Sequence, residues 1–158
     1  MKKVILWITF LFIVFIISEF YREYKDITRF KNSLKEAKYW EDPEANLYMM
    51  EFFIENRIKD NFKYKKIKFI EKFPHPIDSY ELIYNIERER GWIDDLVGIS
   101  FGMNNDEEID IYIDNSYWIK INSITKKKLI YHELGHDVLN LDHSTDPNDY
   151  MYEYILND

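Results

Sequence analysis

His132-Glu133-Leu134-Gly135-His136 constrains the folding of this chain more than any other stretch. Two histidines four apart face the same way on a helix, so the motif calls for a helix across residues 132–136. On that helix both imidazoles reach one metal ion. With one further protein ligand they leave a coordination position for water, which is the arrangement of an open zinc site rather than a closed one. Glu133 stands beside the first histidine, where its carboxylate can reach a metal-bound water without binding the metal. Zinc lowers the pKa of such a water towards roughly 7, and Glu133 is the candidate general base that takes its proton. Three of the chain's 4 histidines fall between positions 132 and 143, which sets the motif apart from a surface helix with two unrelated imidazoles.

The chain continues Asp137-Val138-Leu139-Asn140-Leu141-Asp142-His143-Ser144-Thr145-Asp146-Pro147, with Met151-Tyr152 beyond. Over residues 132–152 this resembles the metzincin zinc metallopeptidases, and the part from His143 to Tyr152 resembles the matrixin ending. A looser resemblance extends over 98–154. The family pattern is HExxHxxGxxH followed by a methionine turn. Here His143 stands one residue beyond the family's third histidine, and Asp142 stands at the usual position. Small bacterial HELGH proteins resemble this longer spacing. Two third ligands are therefore open: Asp142, or His143 with a helix one residue longer. Turn chemistry favours His143. The family's glycine ends the helix in a left-handed conformation three residues before the third ligand. Asn140 stands three residues before His143, and asparagine is the next-best residue for that conformation. Asp142 then supports the site from outside or is a solvated turn residue.

The resemblance implies that Met151 is the hydrophobic floor beneath the ligands. A tyrosine found two residues after that methionine in some members is Glu153 here, so that feature is not carried over, and Tyr152 and Tyr154 read as packing residues. The resemblance further implies a small α+β zinc-dependent protease domain, its active-site helix packed on a mixed sheet. The implied reaction is hydrolysis of a peptide bond, in a peptide or protein substrate, by water activated on Zn2+. Two other functions fit the same residues. One is a membrane-tethered zinc-binding module with little catalysis. The other is a zinc amidase acting on cell-wall peptides.

The N-terminus adds a second strong signal. Lys2-Lys3 precede an apolar run from Val4 to Ile17, which Ser18-Glu19 interrupt. This reads as an N-terminal membrane anchor or signal helix over 1–21. Poor small-residue cleavage signals favour the uncleaved anchor. The two lysines favour a cytoplasmic N-terminus, and so a domain outside the cytoplasm, periplasmic or extracellular. The membrane is then a partner through this segment.

Residues 22–60 read as a helical segment and 61–158 as the zinc hydrolase domain. Phe20, Tyr24, Ile27, Phe30, Leu34, Ala37 and Trp40 recur at helical spacing and read as one packed stripe. Asp42-Pro43 is a helix start, with the helix running to about Asp60. Lys63 to Lys72 reads as a strand with a basic outer face. Pro74-His75-Pro76 is a break, with a helix from Asp78-Ser79 to Arg90. Gly98 to Met103 and Ile109 to Ile113 read as a hairpin, which would resemble the family's substrate-pairing edge strand. Asp94, Asp95 and the 106–110 run read as solvated turns rather than a calcium site. Asn122-Ser123 starts the motif helix, which Leu129, Ile130, Leu134 and Val138 pack onto the sheet. A net charge of -8 argues against nucleic acid as a partner. The absence of cysteine excludes disulfides and a thiolate zinc ribbon.

Overall fold

A computed structural model describes residues 2–73, 97–101 and 107–152. The proposed 74–76 break with His75, the 78–90 helix, Asp94, Asp95, the hairpin turn around 102–106, Glu153 and Tyr154 lie outside the described residues. The chain divides into two units, one containing residues 2–36 and the other the remaining described residues.

In the first unit, α1 runs Lys2–Glu36 as one helix of 35 residues. Phe30 and Leu34 of the expected stripe are buried, whereas Phe20 and Tyr24 are exposed. The stripe therefore narrows to its C-terminal part. Trp40 has left the helix altogether. The expected membrane helix is corrected here: among the described residues no helix is long and apolar enough to cross a membrane. The physical reason is length. The run from Val4 to Ile17 supplies about 21 Å of helix before Ser18 and Glu19, against a hydrocarbon core of roughly 30 Å. A membrane partner held through this segment falls with that helix.

The second unit is α+β. Tyr39–Trp40 form β1, Tyr64–Ile70 β2, Gly98–Ser100 β3 and Glu108–Asp114 β4. The sheet order is β1-β2-β4-β3. β2 and β4 are parallel, with Ile67 opposite Ile111. β1 and β3 are antiparallel edges, with Trp40 opposite Phe69 and Ser100 opposite Ile111. The expected pairing of 98–100 with 111–113 is thus present.

Period-two alternation sorts the sheet's two faces. Ile67, Phe69, Ile109, Ile111 and Ile113 point to the core, together with Ala45, Phe52, Leu129, Ile130 and Leu134 from the helices that cover it. Lys66, Lys68, Asp110 and Tyr112 alternate with the core-facing strand residues. There Lys68 Nζ donates to Asp110 and, at 2.8 Å, to the Tyr112 hydroxyl. The basic face of β2 is therefore tied down by its neighbours.

Two helices cover the core face. α2 is Pro43–Glu55, with Asp42 capping it by accepting from Glu44 N at 2.8 Å. It stops five residues short of the expected Asp60 because Arg57 takes a positive φ of 54°. After β4, the single turn α3 (Asn115–Trp118) leads to α4 (Ser123–Leu139), capped by Asn122. Leu129, Ile130 and Leu134 are buried, and Val138 packs against the same cluster. Trp118 fixes the junction of α2 and α4. It packs edge-on against Phe69 at 4.9 Å, its Nε1–H donates to Asp42 Oδ2 at 3.1 Å, and Lys126 Nζ lies 4.7 Å over its ring. Lys126 is paired with Glu44 at 2.7 Å.

Candidate metal centre

α4 carries three functions on three faces. One face packs into the core. A second presents His132 and His136 one turn apart. A third presents Glu133 and Asp137 to the edge strand β3. Four helical residues rise about 6 Å, and two residues of strand span about 6.7 Å. Glu133 and Asp137 therefore match Gly98 and Ser100. Ser100 Oγ donates to Asp137 Oδ2 at 2.8 Å, and the Asp110 N–H reaches the same oxygen at 3.3 Å. Gly98 admits Glu133: a Cβ there would fall on Glu133 Oε1 and lie 2.9 Å from its Cδ. These contacts fix the rotation of α4 on the sheet, and so the direction in which the histidines point.

Asn140 ends α4 in the left-handed conformation, at φ 53° and ψ 37°. Its N–H donates to the Gly135 carbonyl, and so does that of Leu141 at 3.1 Å. The chain then reverses and brings His143 back over the helix. The rings of His132 and His143 stack at 5.1 Å, and His143 meets His136 edge-on at 4.7 Å. One nitrogen of each of His132, His136 and His143 lies within 4.8 Å of the others, and among the described residues this is the group able to hold a metal ion. Asp142 is exposed and outside the set. The choice between third ligands thus falls to His143, for the turn reason drawn from the sequence.

Hydrogen bonds orient two of the rings. His132 Nδ1 lies 3.0 Å from the Tyr150 carbonyl, and His136 Nδ1 lies 2.6 Å from the Leu141 carbonyl. A carbonyl only accepts, so each Nδ1 carries the proton and each Nε2 presents its lone pair to the centre. The two Nε2 atoms are 3.2 Å apart. Two ligands at 2.0–2.1 Å in a tetrahedron stand about 3.3 Å apart, so the spacing fits a single ion. Burial and the neighbouring imidazoles push His132 down to about 4, and burial also lowers His136. Both are neutral at pH 7, which is the state a ligand requires.

Met151 lies beneath the helix, buried. A Cβ on Gly135 would collide with Met151 Sδ and stand 3.1 Å from the Tyr150 ring. The motif's glycine is thus the notch into which this methionine fits. The sequence pointed to Met151 by its offset. It did not point to the Tyr150 and Leu141 carbonyls, because any residue supplies a carbonyl. Asp137 and Gly98 were missed too, since their roles depend on which strand meets α4.

Glu133 is where the expected chemistry fails. It does not belong to the metal-holding set. Its side chain is buried against β3, and desolvation, with Asp137 adding to it, pushes its carboxyl up to about 8. No protein-family model, curated protein or solved structure matches the chain. In place of the metzincin resemblance, the protease domain and the zinc endopeptidase activity built on Glu133, the structure supports a small α+β domain with a three-histidine cluster able to hold a metal ion.

Proposed function

We propose that this domain is a zinc-binding module, in which His132, His136 and His143 hold one ion. The observation that carries the reading is the convergence of three imidazole nitrogens within 4.8 Å. Two of those rings are already set in the metal-binding tautomer by the Tyr150 and Leu141 carbonyls. Imidazole suits zinc, copper, iron and nickel alike. The 3.2 Å nitrogen spacing supports a small tetrahedral ion, and zinc is the one that most often takes that geometry. Three neutral ligands would leave the ion's charge uncompensated and room for a further ligand. The ion would thus serve both as a clamp on the fold and as a point of attachment.

Elemental analysis of the full chain, purified without added metal and then equilibrated with zinc, tests this. One zinc per chain is expected. Because the ion binds the native state alone, saturating zinc at about 100 times Kd should add about 2.7 kcal/mol of stability. A chain that takes up no zinc, or takes it up with no rise in thermal midpoint, contradicts the proposal.

A further inference from the structure

The third ligand reaches the centre differently from the other two. His132 and His136 ride on α4, and their backbones are held by the helix. His143 rides on the segment 141–149, in which every residue except Ser144 is exposed. The two feet of this segment are well anchored. At one foot, Asn140 caps α4 and the Leu141 carbonyl meets His136 Nδ1. At the other, the Tyr150 ring lies edge-on to Phe52 at 6.3 Å and to Tyr131 at 6.2 Å, and Met151 sits in the Gly135 notch. The Ser144 N–H donates to the Met151 carbonyl at 2.8 Å and closes the base.

Between the feet, the hydrogen bonds among the described residues are local. Asp146 N donates to Ser144 Oγ at 3.1 Å, Asn148 N to Asp146 Oδ1 at 2.9 Å, and Asp149 N to the Asp146 carbonyl at 3.0 Å. Such bonds give the loop a shape but do not fasten it to the body of the domain. Exposed backbone bonds with few apolar contacts mark the low end of local stability. His143 is the side chain through which an ion could tie this loop to α4.

We infer that the metal is the clasp of this loop: its binding fixes residues 142–149 against the end of α4, and its removal frees them while α4, Leu141 and the Tyr150–Met151 foot stay in place. The inference rests on the zinc-binding reading above and adds a metal-controlled surface to it. The exposed side chains of the loop, Asp142, Asp146 and Asp149 among them, would be held in a fixed array in the metal-loaded protein alone.

Amide hydrogen exchange of the full chain, read by mass spectrometry with zinc and with chelator, tests this, with zinc content measured on the same samples. In the wild type, zinc should slow exchange of peptides within 142–149 at least tenfold. Peptides from the first half of α4 and from β2 and β4 should change far less. His143→Ala should abolish the slowing, and His143→Cys, whose thiolate also binds zinc, should restore it. If zinc is bound and the loop exchanges as fast as without it, the clasp is refuted while the metal site stands. Equal slowing in the sheet and in the loop means general stabilisation and also refutes it. Absence of bound zinc overturns the metal site itself, and the clasp with it.

Discussion

At the scale of single residues, the centre depends on positions that are not ligands. Asn140 is the clearest. Its left-handed conformation turns the chain so that His143 rather than Asp142 faces the helix. Asn140→Gly should leave zinc affinity and stability nearly unchanged, since glycine adopts that conformation freely. Asn140→Val should cost about 1–2 kcal/mol and weaken zinc binding without removing a ligand. Titration of both variants with zinc checks this, and equal affinity for valine and asparagine would count against the turn. Gly135 makes a second case. Gly135→Ala would place a methyl on Met151 Sδ and close to the Tyr150 ring. The methionine can shift, but only within a buried site. We expect a loss of about 1–3 kcal/mol in denaturant unfolding, with weaker zinc binding because the Tyr150 carbonyl moves. Glu133 gives a pH signature in metal-free protein. Its carboxyl is raised in the folded chain from 4.5 to about 8. Its contribution to stability is therefore complete below about pH 4.5 and is lost as pH rises through about 8. Thermal midpoints in chelator should fall between about pH 5 and 8 in the wild type and fall less in Glu133→Gln. Parallel falls in the two proteins would show that this carboxyl is not the cause.

At the scale of elements, what could be read from the sequence was what is locally determined. Asp42-Pro43 and Asn122-Ser123 start helices because an oxygen and the amides it caps lie within three residues. The β3–β4 pairing follows from two short apolar runs separated by a polar turn. Other features depend on partners far along the chain. Trp40 continues a helical spacing, yet it pairs with Phe69 as an edge strand, because a two-residue strand exists only where a neighbour supplies the hydrogen bonds. Trp118 gives no sign that its indole will donate to Asp42, 76 residues away. That bond gives Asp42 two tasks, capping α2 and anchoring the indole. Asp42→Ala should therefore lower stability by about 1–2 kcal/mol and leave zinc stoichiometry unchanged. Denaturant unfolding and elemental analysis of this variant check the pair of outcomes. Loss of zinc in this variant would mean that the α2–α4 junction controls the centre more directly than the contacts indicate.

At the scale of the whole molecule, one unit organises the chemistry. A sheet with a parallel centre and antiparallel edges supports α4, and β3 sets the helix's rotation through Gly98 and Ser100. Asn140 then returns the chain so that a third imidazole meets two that the helix already holds. The ligands were legible in the sequence because their spacing is a property of one helix and one turn. The state of Glu133 was not, since its burial comes from a strand more than thirty residues earlier. The measurement that bears most directly on the account is zinc affinity by competition titration, compared between His143→Ala and Asp142→Ala. The account predicts that His143→Ala weakens binding by more than about 100-fold, beyond what the loss of a supporting group costs, while Asp142→Ala changes it by less than about tenfold. Loss of binding in Asp142→Ala with retention in His143→Ala would contradict it.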